Sequence, residues 1–177
     1  MKMGLSTTIS GFTFALILAA TGMAVPVTAK DLQDDQQRQA ESRERSTRAH
    51  KLEGVWDVSV TILDCQTGNP IRTVRAMNMF IRGGTMTELA ARSSPSLRTA
   101  SLGTWGYVGR HQYTAVFRFS RFNPDGSFAA TQKVSRVIDL NQEGDAFSAT
   151  SLVEIFDAND NLILPTGCAT ETGTRLE

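Results

Sequence analysis

The clearest structural signal in the chain is the stretch Gln112-Tyr113-Thr114-Ala115-Val116-Phe117-Arg118-Phe119-Ser120. Its apolar side chains fall on one face of an extended chain: Tyr113, Ala115, Phe117 and Phe119. Its polar side chains fall on the other face, with Val116 as the exception: Gln112, Thr114, Arg118 and Ser120. Because successive side chains of a strand point to opposite faces of a sheet, this pattern predicts an antiparallel strand with one face packed inward and one face in water.

The same alternation recurs along the rest of the chain. The first predicted strand has Trp56, Val58, Val60 and Ile62 on one face, and the sixth has Phe128, Ala130, Val134, Ile138 and Leu140. Turn-forming residues separate the strands at seven places: 64–70, 82–84, 93–97, 108–110, 123–126, 141–145 and 157–161. The sequence therefore predicts an all-β domain over residues 51–177, an antiparallel eight-stranded up-and-down barrel without exposed edges. The interior of such a barrel is either packed or holds one small ligand.

The two cysteines lie near the two ends of this series of strands. Cys65 follows the first predicted strand, and Cys168 lies in the last one. In an oxidising compartment the two thiols are expected to form a disulfide bond. A bond between the first and last strands indicates a sheet that closes on itself.

Residues 1–29 have the order of a secretory signal peptide. Lys2 is the only charged residue before Lys30, Ile9 to Ala20 form a short apolar core, and the small residues Val27 and Ala29 precede a cleavage site. The alternative is an uncleaved membrane anchor, for which the apolar core is short against a span of about 20 residues. We therefore expect a secreted or periplasmic protein that begins at Lys30 and has no transmembrane span after cleavage.

Residues 30–50 are predicted to be a flexible polar linker. Leu32 is their only large apolar side chain, so this segment cannot bury enough surface to offset the entropy of ordering. The composition still permits a loose helix, and its later arginines leave open a basic arm for anionic lipid or cell-wall polymer. The whole chain has 18 basic and 18 acidic residues, and this balance gives no support for a nucleic-acid partner.

Two short motifs resemble the lipocalins and the wider calycin superfamily. The first predicted strand opens with Gly54-Val55-Trp56, and Arg175 stands near the end of the last strand. The resemblance is confined to these motifs and implies a barrel in which Arg175 covers Trp56 at the closed end by a cation–π contact. It gives both residues a structural role as a plug, and it implies a lipocalin-like barrel without identifying a ligand.

The candidate ligand-binding residues are those expected to face that interior. Arg136 and Gln132 fall on the apolar face of the sixth strand, where they are polar anchors for a ligand, Arg136 for an anionic head group. The alternatives are a bulge that reverses the register, or an ion pair between Arg136 and a barrel carboxylate such as Glu154. The remaining candidates are apolar: Tyr113, Phe117 and Phe119 for the body of the ligand, and Met77 and Met79 for an adaptable wall or a core filling.

The sequence gives no support for a catalytic residue, a metal site or a cofactor. It contains neither a Gly-x-Ser-x-Gly nor a His-Glu-x-x-His motif. Asp157, Asn159 and Asn161 begin like a calcium loop, but Leu162 and Cys168 stand where that loop needs glycine and glutamate, so a hairpin turn is predicted. The first hypothesis is a barrel that binds a small apolar or amphipathic ligand. The alternatives are an enzyme resembling the allene oxide cyclases and a structural or adhesion domain with a filled interior.

Overall fold

The structure, a computed structural model, describes residues 29–177. Eight strands run in chain order: β1 (Gly54–Leu63), β2 (Pro70–Ile81), β3 (Thr85–Ala91), β4 (Ser101–Gly109), β5 (Gln112–Phe122), β6 (Phe128–Leu140), β7 (Ala146–Phe156) and β8 (Leu162–Arg175). Each strand pairs antiparallel with the next, and β8 pairs with β1, so the sheet is a closed barrel. The predicted eight-stranded antiparallel barrel is confirmed, and each predicted turn overlaps a connection between two strands.

A helix, α1 (Ala29–Ala49), precedes the barrel in the chain. All of its side chains whose burial is described are exposed, which agrees with the near absence of apolar residues. The sequence permitted a helix here, and the assignment of residues 30–50 to a linker stays a prediction. The predicted signal peptide lies outside the described residues, except for Ala29. A short 3-10 helix, His50–Leu52, then leads into β1 and buries Leu52 completely.

The pairing of β1 with β8 closes the sheet. The register runs from Trp56 opposite Arg175 at one end to Leu63 opposite Cys168 at the other. A disulfide bond joins Cys65, just beyond β1, to Cys168, over a Cα–Cα distance of 5.3 Å and 103 residues of sequence. The predicted disulfide is confirmed, and it lies at the seam where the first and last strands meet.

Tight turns connect several of the strands. The β4–β5 turn consists of Arg110 and His111, which both have positive φ (47° and 69°), as a two-residue hairpin turn of the primed type requires. In the β7–β8 turn, Asp157 Oδ1 accepts hydrogen bonds from the backbone N–H groups of Asn159 (2.8 Å) and Asn161 (2.9 Å). Bonds from the side chain and backbone of Asn161 hold the pKa of Asp157 below its ordinary value. The segment is thus a hairpin turn, as predicted.

One end of the barrel is filled with aromatic side chains. Trp56 and Tyr113 are fully buried there, together with Phe80 and Phe147. The ring centroids lie 5.1 Å apart for Trp56 and Phe147 and 5.2 Å apart for Tyr107 and Tyr113, and the rings are tilted, as aromatic pairs prefer. This packing closes one end of the barrel, so any interior space lies towards the other end.

Candidate functional site

A cavity of about 690 Å³ occupies the half of the barrel opposite the aromatic end. Its walls are apolar side chains from six strands: Val60, Ile62, Val74, Ala90, Phe117, Phe119, Val134, Val153 and Ile155. The lining residues at its mouth, Arg72, Arg121, Asn123 and Pro124, are exposed, so the cavity opens to solvent at this end. Its volume lies within the roughly 300–1,000 Å³ of pockets that bind small molecules.

Trp56 and Arg175 seal the opposite end. The Arg175 guanidinium carbon lies 4.4 Å from the centroid of a Trp56 ring, which is cation–π distance. The guanidinium also donates hydrogen bonds to the backbone carbonyls of Lys51, Glu53 (2.5 Å) and Gly144 (2.8 Å). Trp56 Nε1 donates to the Leu52 carbonyl at 3.0 Å. The arrangement implied by the lipocalin resemblance is present, and its polar groups are satisfied by backbone.

Polar side chains, rather than apolar ones, form the bottom of the cavity. We call this group the polar floor, and it consists of Glu88, Arg98, Arg136, Ser151 and Glu171. Four of the five are almost entirely buried, and Arg98 is partly buried. Buried charges are costly unless they are paired and hydrogen-bonded, so their contacts determine what this floor can bind.

Arg136 and Glu171 form the deepest ion pair of the floor. Arg136 Nη1 lies 3.2 Å from Glu171 Oε2, and the two side chains are 2% and 1% exposed. Ser151 Oγ donates to the other carboxylate oxygen, Glu171 Oε1, at 2.5 Å. The Arg136 guanidinium also lies over the ring of Phe117, 4.5 Å from its centroid. Burial lowers the pKa of Arg136 below its ordinary value, while the carboxylates of Glu171 and Glu88 oppose this shift.

A second ion pair, between Arg98 and Glu88, reaches into the floor from the side. Arg98 follows the 3-10 helix Pro95–Leu97, and its Nη2 donates to Glu88 Oε2 at 2.5 Å. Its guanidinium lies 3.5 Å from the centroid of the Phe119 ring. The hydroxyl of Ser101 holds the backbone of Glu88 through two hydrogen bonds, accepting from its N–H and donating to its carbonyl. Two cations and two anions thus share the floor.

The pairing of Arg136 with Glu171 leaves hydrogen-bonding groups unused. Among residues 29–177, the buried side-chain atoms without a hydrogen-bond partner include Arg136 Nε, Arg136 Nη1 and Glu171 Oε2. Nη1 and Oε2 are close enough to attract each other but are not oriented as a hydrogen bond. Both amide atoms of Asn78, which is also buried, belong to the same set. The floor is therefore incompletely hydrogen-bonded within the protein, although these atoms are themselves enclosed by their neighbours.

Four of the sequence-predicted ligand residues meet at the cavity, and three do not. Arg136, Gln132, Phe117 and Phe119 line it. Tyr113 faces inward as predicted, but it lies below the floor in the aromatic end and does not line the cavity, so its contact with a ligand stays a prediction.

Met77 and Met79 lie on the outer surface of the barrel. They are 40% and 42% exposed, because the register of β2 turns Ala76, Asn78 and Phe80 inward. They therefore line no interior pocket and fill no core, and both predictions for them are wrong.

The predicted ion pair of Arg136 is present with a different carboxylate. Glu154 lies on the outer face of β7, where its Oε2 accepts a hydrogen bond from Lys133 Nζ at 2.7 Å. Glu171, on β8, takes its place inside the barrel. The sequence interpretation did not single out Glu171, Glu88, Ser151 or Arg98. Glu88 and Glu171 do have a signal, because each stands at an inward position between small or apolar residues, whereas Arg98 lies in a connection without periodicity.

No protein-family model matches the chain, and no curated protein sequence matches it. Within residues 29–177, no helix combines the length and the apolar character that crossing a membrane requires. In the same part of the chain, no three His, Cys, Asp or Glu side chains are grouped so that they could hold a metal ion.

Proposed function

We propose that the barrel binds a small amphipathic ligand in its interior cavity. The observation that supports this most strongly is the combination of an apolar wall with a buried, incompletely hydrogen-bonded polar floor. An apolar wall favours the body of a ligand, and a few convergent polar groups give it orientation. A structural or adhesion barrel with a filled interior has no use for a cavity of about 690 Å³.

Phe117, Phe119, Val134 and Val153 are the residues we assign to the body of the ligand. They line the cavity on neighbouring strands, and Val134 pairs with Phe117 on β5 and with Val153 on β7. Burying apolar surface against these side chains favours binding by roughly 25 cal/mol per Å². Two further residues of β6 are polar contacts. Gln132 lies nearer the mouth of the cavity, and Arg136 lies at the floor.

A cavity-filling substitution tests this proposal. Val134→Phe places a ring inside the cavity, whereas Val137→Phe adds the same ring to the outer face of the same strand, where Val137 is 38% exposed. We expect the uncharged apolar dye Nile red to bind the wild type and Val137→Phe, and to bind Val134→Phe much more weakly. Equal binding to both variants, or none to the wild type, contradicts the proposal.

The natural ligand is best sought in the protein purified from its own host. Native mass spectrometry of that material should find a co-purified molecule, and mild denaturation should release it. Its retention by Val137→Phe and loss from Val134→Phe would assign it to the cavity.

A second candidate is an enzyme of the cyclase or isomerase type, resembling the allene oxide cyclases. The observation that favours it is the buried Glu171 carboxylate, which lines the cavity beside a guanidinium and accepts a hydrogen bond from Ser151. Such a carboxylate can take up or return a proton on a bound molecule. Conversion of the co-purified ligand that stops in Glu171→Gln, while binding persists, would favour the enzyme. Binding without conversion favours the carrier.

We also propose that the protein is exported and that its barrel is of the calycin type. The disulfide bond supports export, because such bonds persist in oxidising compartments. The Trp56–Arg175 contact at the closed end supports the calycin relationship. N-terminal sequencing of the exported form should begin at Lys30. A start upstream of Met23 would show that residues 1–29 are an anchor instead of a cleaved signal.

A further inference from the structure

The charged side chains that line the cavity lie at three places. The floor contains Arg98, Arg136, Glu88 and Glu171, whose formal charges cancel. Arg72 and Arg121 lie at the exposed mouth, where solvent screens them. The remaining lining cation, Arg75, bonds to Asp57 through its guanidinium. A group that reaches the floor therefore meets a buried surface without net charge.

The side chains of the floor offer both hydrogen-bond donors and acceptors to the cavity, and this combination defines the complementary group. The guanidinium groups of Arg98 and Arg136 are donors, and the carboxylates of Glu88 and Glu171 are acceptors. Arg136 Nε, Arg136 Nη1 and Glu171 Oε2 are themselves enclosed by protein, while the side chains that carry them line the cavity. A hydroxyl pairs with both kinds of group at once, because its oxygen accepts from a guanidinium and its hydrogen is donated to a carboxylate.

We propose that the polar floor binds an uncharged hydroxyl or primary amide at the inner end of the ligand, which enters the cavity polar end first. This inference rests on the proposed function and narrows its ligand class. It replaces the anionic head group expected from Arg136 alone, because Glu171 already neutralises that guanidinium. A carboxylate at the floor would face Glu171 and Glu88 as well as the arginines, and a buried charge without its own partner is strongly disfavoured.

A panel of decyl compounds tests this selectivity by isothermal titration calorimetry. Decanol and decanamide accept and donate hydrogen bonds, decyl methyl ether only accepts, and decanoate at mildly alkaline pH is an anion. We expect decanol to bind roughly 10- to 150-fold more tightly than decyl methyl ether, since a hydrogen bond to a charged group is lost in the ether. We also expect decanol to bind at least about 10-fold more tightly than decanoate.

Substitution of one carboxylate should reverse this preference. Glu171→Gln leaves the floor with a net positive charge, so decanoate should gain affinity and bind more tightly than decanol. Glu154→Gln is the matched control, because it removes a carboxylate from the outer face that is paired with Lys133. It should leave the order of the panel unchanged. If Glu171→Gln does not fold, the wild-type panel alone still decides the proposal.

The opposite orientation of the ligand makes a different prediction. An acid that enters tail first would place its carboxylate near Arg72 and Arg121 at the mouth. Decanoate would then bind most tightly to the wild type, and Arg121→Gln would weaken it while Arg136→Met would not. This result overturns the inference but leaves the proposed function intact. If no member of the panel binds and Nile red does not bind, the proposed function fails, and the inference fails with it.

Discussion

Asn78 is a buried amide that none of its neighbours satisfies. It lies on β2, opposite Trp56 on one side and Glu88 on the other, and it is 1% exposed. Neither its amide nitrogen nor its oxygen has a hydrogen-bond partner among the described residues. Leaving a buried polar group unpaired costs about 1–3 kcal/mol. Asn78 lies just below the polar floor, and its unpaired amide lowers the free energy of unfolding of the barrel.

Replacing Asn78 by leucine should therefore stabilise the fold. Leucine has the same branched set of four side-chain heavy atoms as asparagine and no polar atoms, so we expect the free energy of unfolding to rise by about 1–3 kcal/mol, less the cost of its larger volume in a packed interior. Urea denaturation of Asn78→Leu and wild type measures the difference. A loss of stability of more than about 3 kcal/mol, which exceeds the usual cost of overpacking, would mean that the amide is hydrogen-bonded in the folded protein.

Tyr113 should make the barrel sensitive to alkaline pH. Burial raises the pKa of Tyr113 to about 12, with Tyr107 adding to the rise and Arg175 opposing it. In the unfolded chain the phenol titrates near its ordinary pKa of about 10. Between these values the unfolded state loses the proton first, so the stability that the phenol contributes is complete below pH 10 and is lost as the pH rises towards 12.

The corresponding experiment compares wild type with Tyr113→Phe across this range. The wild type should lose at most about 3 kcal/mol more than the variant between pH 10 and pH 12, since each pKa unit corresponds to about 1.4 kcal/mol. Chemical denaturation at several pH values gives the difference. A stability gap between the two proteins that stays constant with pH would show that Tyr113 does not titrate differently on folding.

Among the elements, β4 packs closely against its neighbour β5 at a glycine. Gly103 is opposite Phe117, and a Cβ at position 103 would overlap the Val116 carbonyl oxygen and the Cα of Phe117. Gly106, three residues later in the same strand, has open space at the corresponding position. Comparing substitutions at the two glycines therefore distinguishes the effect of close packing at Gly103 from the general effect of a glycine in a strand.

Alanine at these two positions should have opposite effects. We expect Gly103→Ala to lower the free energy of unfolding by about 1–3 kcal/mol, because β4 must move away from β5. Gly106→Ala should be neutral or stabilising by up to about 1 kcal/mol, through a less flexible unfolded chain. Thermal melts of both variants test this. Equal effects would mean that the two strands can separate at Gly103 without cost.

The alternation of residues predicted some strands better than others. In β5 the inward face was evident, because Tyr113, Ala115, Phe117 and Phe119 alternate with mostly polar side chains. In β2 both faces are apolar over part of the strand, with Ala76 and Phe80 inside and Met77, Met79 and Ile81 outside. An alternation with a period of two residues does not show which face of a strand is inward when both faces are apolar. Met77 and Met79 were consequently assigned to the wrong side.

At the scale of the whole molecule, the alternation of residues could not predict the register between strands, that is, which residues of neighbouring strands lie opposite each other. The alternation of inward and outward positions along β6 predicted that the Arg136 guanidinium points inward and needs a partner, and this is correct. The partner depends on the stagger of three strands: Arg136 on β6 is opposite Ser151 on β7, and Glu171 on β8 is opposite Ala149 on β7. Depth along the barrel axis depends on the same stagger, which is why Tyr113 was placed on the correct face but at the wrong level.

The disulfide should contribute much of the stability of the closed barrel. It links residues 103 positions apart. A loop of about 100 residues corresponds to at most about 4.7 kcal/mol in the chain-entropy treatment of the unfolded state. We expect the double variant Cys65→Ser, Cys168→Ser to unfold at a clearly lower denaturant concentration, and reduction of the wild type to have the same effect. Unchanged unfolding, or free thiols at both positions in exported protein, would contradict this.

The barrel has one sealed end and one open end, and this asymmetry constrains exchange kinetics. A molecule that occupies the cavity must arrive and depart through the rim beside Arg72, Arg121 and the Cys65–Cys168 bond. Selectivity between ligands then depends on the deep polar side chains. The residence time of a ligand depends on a separate part of the chain, the connections around the rim. Shortening or stiffening those connections should slow loading and unloading alike, and leave the equilibrium preference between ligands as it was.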